Sequence, residues 1–190
     1  ILFVAVQTPN QPMYDGTTRV PSHRVDFDYT YLTKAVDAIA SASSWGGSHR
    51  TLVAIISTVL PGTCRAYIEP RLRHAGLRWV YNPSLIAMGT TIEDFLVPEY
   101  AIIGKSIPAM APELSQFYHG MDIKTMEMGV ESAELLKVSY NTYIGMKINF
   151  ANSIMEISHK TGADAMLVMS GIKAADRRLI SSAYLTPGMG

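Results

Sequence analysis

The stretch Leu52-Val-Ala-Ile-Ile-Ser57-Thr58-Val-Leu-Pro61-Gly62-Thr63 places an apolar run of strand length directly before a proline and a glycine. Such a run is the pattern of a strand buried on both faces of a parallel sheet, because alternation disappears when neither face meets water. Pro61 suits the first position of a helix, where its missing N–H costs nothing, so a helix is expected over 61–73, closed by Gly76. Pro70 should kink that helix or end it early. The neighbouring sequence repeats this strand-then-helix unit. Residues 1–6 form another apolar run, expected to be buried on both faces, and residues 28–41 carry helical spacing in Tyr31, Ala35, Ala38 and Ile39 behind a capping Asp28. Residues 78–81 read as a third strand and 101–103 as a short fourth, while 10–26 read as loop and 43–48 as a Gly/Ser turn. The repeats predict an α/β fold built on a doubly wound parallel sheet.

From about residue 130 the pattern changes to helix alone. One helix is expected over 132–160, roughly thirty residues at about 1.5 Å each, or about 45 Å. Gly162 marks its stop, and Asp164 caps a further helix carrying Met166, Leu167 and Met169. A helix of that length outruns one small sheet domain. It is therefore expected to bridge two domains and to offer Ile144, Ile148, Ala151, Ile154 and Met155 to another subunit. On this helix Lys137 and Asn141 stand four residues apart, which stacks both heads on one face. A cation and an amide held side by side on a rigid element can grip a developing alkoxide or exchange a proton with a carbinol. The same spacing also fits a solvated lysine beside a capping or core asparagine.

Composition bounds the function. With 48% hydrophobic and 17% charged residues and zero formal net charge, neither disorder nor a basic nucleic-acid surface is expected. Apolar runs such as 52–56 are far too short to cross a bilayer, and residues 1–6 lack a basic leader and a small-residue cleavage site. A single cysteine leaves no intramolecular disulfide, in keeping with a cytoplasmic location. Cys64 stands at the start of the helix after Pro61, where helix polarity can lower a thiol pKa; a small buried packing residue is the alternative role. The five histidines, His23, His49, His74, His119 and His159, show no metal-ligand spacing, so no metal is expected.

A set of motifs runs through the whole chain in a definite order. It begins with Ile1-Leu-Phe-Val-Ala-Val-Gln-Thr8-Pro9, followed by Ile55-Ile-Ser57-Thr58-Val-Leu-Pro61-Gly62-Thr63 and Tyr81-Asn82-Pro83-Ser84-Leu-Ile-Ala-Met88-Gly89. Ala133-Glu-Leu-Leu-Lys137, Phe150-Ala-Asn152, Gly162-Ala-Asp164 and Tyr184-Leu-Thr-Pro187-Gly188-Met-Gly190 complete it. Together these segments resemble the UDP-glucose/GDP-mannose dehydrogenase family, NAD-dependent enzymes that oxidise a sugar-nucleotide alcohol to a carboxylate. The resemblance implies a partial Rossmann-like sheet over residues 1–125, the C-terminal part of an NAD-binding domain. It also implies a truncated, all-helical central domain over 126–190, whose long helix forms a homodimer core. The family's Gly-rich fingerprint and its nucleophilic Cys loop are not in these residues. An internal portion of a longer enzyme is therefore expected, with the Cys beyond Gly190.

The resemblance also assigns roles. In an open parallel sheet the ligand lies at the carboxyl ends of the strands, so Thr8-Pro9 and Ser57-Thr58 are expected to face NAD. Their hydroxyls can bond a carboxamide or ribose, or simply cap strand ends, and Thr58 matches the family's cofactor- and water-contacting threonine. Lys137 and Asn141 match the family's helix-borne pair on the oxygen of the reacting carbon, and with Ser84 and Leu85 they are assigned to the nucleotide-sugar substrate. The implied reaction is a C6 oxidation in two hydride transfers through a Cys thioester. Two positions depart from the family: Ser84 and Met88 stand where acidic residues are usual, and neither a hydroxyl nor a thioether can serve as a carboxylate base. Glu93 and Asp94 are the nearby carboxylates, read either as substitutes or as helix-face and capping groups. Two other functions fit the Lys–Asn spacing or the missing parts: a two-electron hydroxyacid dehydrogenase of the related long-helix group, and a non-catalytic dimerising fragment.

Overall fold

The computed structural model describes residues 1–14, 19, 21–43, 51–87, 89–107, 110–181 and 185. The expected turn at 44–48, Met88, and the motif residues Tyr184, Pro187, Gly188 and Gly190 lie outside the described residues. The chain divides into two compact units, residues 1–139 and 140–190.

In the first unit five strands lie side by side in chain order: β1 (Leu2–Val4), β2 (Leu52–Ile55), β3 (Arg78–Tyr81), β4 (Ala101–Lys105) and β5 (Thr125–Gly129). Between and after them come α1 (Thr30–Ser43), α2 (Glu69–His74), α3 (Thr91–Leu96), α4 (Pro112–His119) and α5 (Val130–Thr161). Successive side chains of β2 point to opposite faces. Val53 and Ile55 enter a core with Leu32 and Val36 of α1, Leu72 of α2, and Val130 and Ala133 of α5. Leu52 and Ala54 enter a second core with Leu114 and Tyr118 of α4. Helices therefore cover both faces, and the doubly wound, Rossmann-like sheet expected from the alternating pattern is present.

The sheet departs from that expectation in three places. The β1–β2, β2–β3 and β4–β5 pairs are parallel, but β4 runs antiparallel to β3, through the Tyr81–Gly104 pair. A parallel connection needs a crossover element packed on the sheet, and α3, between β3 and β4, buries none of its residues. β1 is not buried on both faces: Leu2 and Phe3 are 39% and 37% exposed against 4% for Val4, and among the described residues β1 pairs with β2 alone. Strand β5 was not expected, because Thr125-Met-Glu-Met-Gly129 has neither a β-branched run nor buried residues.

Two glycine or proline positions explain local geometry. The helix after β2 starts as a wide π-type turn, Cys64–Ile68, in which the Glu69 N–H reaches back to the Cys64 carbonyl. That turn delivers Pro70 to the first turn of α2, where no N–H is needed. In β4, a Cβ on Gly104 would lie 2.7 Å from the Ala133 Cβ, so only glycine lets the start of α5 seat against the sheet.

The second unit contains the remainder of α5 and then α6 (Ala165–Lys173). Gly162, with φ +76°, adopts the left-handed turn that ends α5. The Asp164 carboxylate accepts from the Met166 and Leu167 N–H groups at 2.9 and 3.0 Å, so it caps α6 as the sequence predicts. Ile144, Ile148 and Met155 of α5 stand 44%, 56% and 42% exposed in the single chain.

Candidate active site

The carboxyl ends of β1 and β2 are stitched together by hydroxyls. Ser57 Oγ accepts from the Val6 N–H at 3.0 Å and donates to the Val6 carbonyl at 2.6 Å, replacing a ladder rung just past the strands. Thr8 Oγ1 donates to the Thr58 carbonyl at 2.6 Å, and the carbonyl of Pro9 accepts from the Asp28 N–H. The structure thus brings Thr8, Ser57 and Thr58 together, and it occupies two of their three hydroxyls with backbone. The half-buried Thr58 hydroxyl bonds to no other group among the described residues.

Lys137 lies on α5 and is 5% exposed. Its Nζ donates to the Ser84 carbonyl at 2.7 Å, which joins the helix to the loop after β3. Burial disfavours the ammonium and lowers the Lys137 pKa from its ordinary value. Ser84 and Leu85 line a small cleft with Asn82, Phe95 and Tyr100. Asn141 follows Lys137 by one turn on α5 and belongs to the second unit, where it is exposed. Asp94 accepts from the Ala87 N–H at 2.9 Å and from the Thr90 hydroxyl at 2.7 Å. Those bonds hold its carboxyl below the usual range and tie the first turn of α3, which carries Asp94, back to Ala87.

Three structural residues escaped the sequence reading. Glu134, three positions before Lys137, is fully buried. Its carboxylate accepts from the Gly62 N–H at 2.6 Å and the Cys64 N–H at 2.8 Å, at the positively polarised start of the helix after β2. Gly62 has φ +92°, a left-handed conformation that aims its N–H at the carboxylate. Tyr29 supplies a second hub. Its hydroxyl donates to Asp26 at 2.5 Å and accepts from the Leu60 N–H and the Thr63 hydroxyl, and burial pushes its pKa up to about 12. Asn82, 2% exposed, donates to the Ile102 carbonyl at 2.8 Å and accepts from the Tyr118 hydroxyl at 2.7 Å, pinning the end of β3 to β4 and α4. A carboxylate on the apolar side of an amphipathic helix was the one available signal for Glu134.

In an open doubly wound sheet ligands bind outside the carboxyl ends of the strands, the place where Thr58 stands. Residues 1–122 match the NAD binding domain of the UDP-glucose/GDP-mannose dehydrogenase family and residues 131–190 match the central domain of the same family. The chain belongs to this family. It is 28% identical over 171 residues to GDP-mannose 6-dehydrogenase of Azotobacter vinelandii, covering 86% of this chain and 39% of that protein. It is 31% identical over 180 residues to UDP-glucose 6-dehydrogenase of Rickettsia bellii, covering 92% and 39%. Among solved structures, a ternary complex of GDP-mannose dehydrogenase from Pseudomonas aeruginosa superposes with a TM-score of 0.85 at 27% identity, covering 99% of this chain and 42% of that one. The chain thus spans about two fifths of the length of these relatives.

Cys64 is resolved between its two readings. Its thiol is fully buried, and burial first, then the neighbouring Glu134 carboxylate, pushes its pKa well above the ordinary value. A thiol-specific reagent should therefore leave Cys64 unmodified in the native protein and label it fully after denaturation, as read by the mass of the tryptic peptide. Rapid labelling in the native state would contradict this placement.

Proposed function

We propose that this chain is the C-terminal part of the NAD-binding domain, residues 1–125, and the start of the central domain, residues 126–190, of an NAD-dependent nucleotide-sugar 6-dehydrogenase. The substrate is a UDP- or GDP-hexose, whose C6 alcohol is oxidised to a carboxylate. The observation that carries this reading is the buried Lys137 amine, held at the Ser84 carbonyl on the helix where the family places its helix-borne lysine.

The residues fit a dinucleotide at the strand ends, because the Thr58 hydroxyl is available there while Thr8 and Ser57 hold the backbone that presents it. NAD, when bound, supplies the hydride acceptor. Lys137, with its pKa lowered by burial, takes the proton from the C6 hydroxyl as the alcohol becomes an aldehyde, and stabilises the oxyanion at the next stage. Asn141 donates to the same oxygen, and Ser84 and Leu85 line the sugar's side of the cleft. A thiol beyond Gly190 adds to the aldehyde to give a thiohemiacetal. Loss of a second hydride, which a second NAD would accept, and of a proton gives the thioester, and water releases the carboxylate and restores the thiol. With Ser84 in place of an acid, this last step draws on Lys137 and Thr58 for positioning the water.

The exposed Ile144, Ile148 and Met155 of α5 are assigned to a homodimer interface. Light scattering on the full-length protein should give a dimer, and Ile148→Glu should give a monomer; a wild-type monomer would contradict the assignment.

The full-length protein should reduce NAD in the presence of a UDP- or GDP-hexose, followed by the appearance of NADH. Lys137→Ala should lower kcat by roughly 10²–10⁴-fold with the fold retained. No reduction with any member of a UDP- and GDP-sugar panel, or undiminished turnover in Lys137→Ala, would overturn the reading.

A further inference from the structure

The turn from Thr58 to Cys64 makes few bonds of its own, the Thr63 N–H to the Leu60 carbonyl at 3.1 Å among them. Side chains from distant elements hold the rest. Thr8 takes the Thr58 carbonyl, the Tyr81 hydroxyl takes the Val59 N–H, and the Tyr29 hydroxyl takes the Leu60 N–H. Glu134 takes the N–H groups of Gly62 and Cys64. Of these four side chains only Glu134 stands on α5, three residues before Lys137 and so on the same side of the helix. Lys137 in turn grips the Ser84 carbonyl. One turn of α5 therefore fixes two separate loops, the one bearing Thr58 and the one bearing Ser84.

A fully buried carboxylate is costly unless each oxygen is satisfied. Here each of the two oxygens accepts one N–H, a geometry that neither a glutamine nor an alanine reproduces. A glutamine offers one acceptor and turns an NH₂ toward the second N–H. Helix packing alone needs no carboxylate at this position, since Val130 and Ala133 already seat α5 on the sheet.

We propose that Glu134 is a positioning residue for the reaction: its carboxylate sets the Thr58 turn in fixed register with Lys137, so that the cofactor-facing hydroxyl and the substrate-facing amine keep a fixed separation. This inference rests on the dehydrogenase reading above. It is tested by a double-mutant cycle in the full-length enzyme with Glu134→Gln, Thr58→Ala and the pair, measuring kcat and the KM values for NAD and for the nucleotide sugar. Glu134→Gln should lower kcat/KM for NAD about tenfold or more while moving the KM for the sugar little. In the Thr58→Ala background the same change should cost little further, because the group it positions is already gone. Should Glu134→Gln not fold, Glu134→Asp retains the charge, retracts it by one methylene and takes its place in the cycle. A merely structural glutamate would lower the amount of active enzyme in both backgrounds equally and leave both KM values unchanged, and that result overturns the inference alone. A wild-type enzyme with no turnover on any nucleotide sugar overturns the underlying reading, and the inference with it.

Discussion

A turn that leaves a buried strand and enters a helix exposes N–H groups with no partner in their own element, and in this protein a carboxylate from a distant helix receives them. Glu134 accepts from Gly62 and Cys64, and the rest of the site is arranged around that contact. Each such charge-assisted bond contributes about 1.5–3 kcal/mol, and a buried carboxylate stripped of its donors would cost more than it had contributed. The left-handed Gly62 carries one of the two N–H groups that Glu134 receives, and the glycine at position 104 lets the start of α5, which bears Glu134, seat against β4.

The consequence for chemistry is a separation of duties among groups that look alike in sequence. Thr8, Ser57 and Thr58 are three hydroxyls at two strand ends, yet Thr8 and Ser57 hold backbone, whereas the Thr58 hydroxyl bonds to no other group among the described residues. Lys137 and Glu134 are two charged residues on one helix face. One is buried with its charged form disfavoured, which suits proton transfer, and the other is buried with both oxygens satisfied, which suits architecture. Asp94 lines the cleft beside Ser84, and its bonds to Ala87 and Thr90 tie the start of α3 to the chain before it.

Much of the fold was legible in local pattern. The apolar run at 52–57 became β2 with every residue from Leu52 to Ile55 buried, Gly162 ended α5 and Asp164 capped α6. The direction of β4 and the existence of β5 were not legible. The short apolar run at 101–103 has no direction, and Thr125–Gly129, with none of its residues buried, is held to β4 by the backbone ladder and by the Lys105–Glu127 ion pair. At the site, Lys137 stood out by its spacing, whereas Glu134 did not. A glutamate within a helix ordinarily reads as solvated, and its partners lie some seventy residues earlier in the chain, at Gly62 and Cys64. Long-range backbone capping leaves almost no local trace, and the same holds for the Tyr29 and Asn82 contacts.

We propose a four-electron oxidation in which Lys137 and the Thr58 turn take part. It is tested most directly by the stoichiometry of the full-length enzyme on a limiting amount of its nucleotide sugar. A four-electron oxidation gives two NADH per sugar nucleotide consumed, with the uronate as the sole end product. One NADH per sugar, with the aldehyde or a ketone accumulating, would contradict it and would assign the fold to two-electron chemistry.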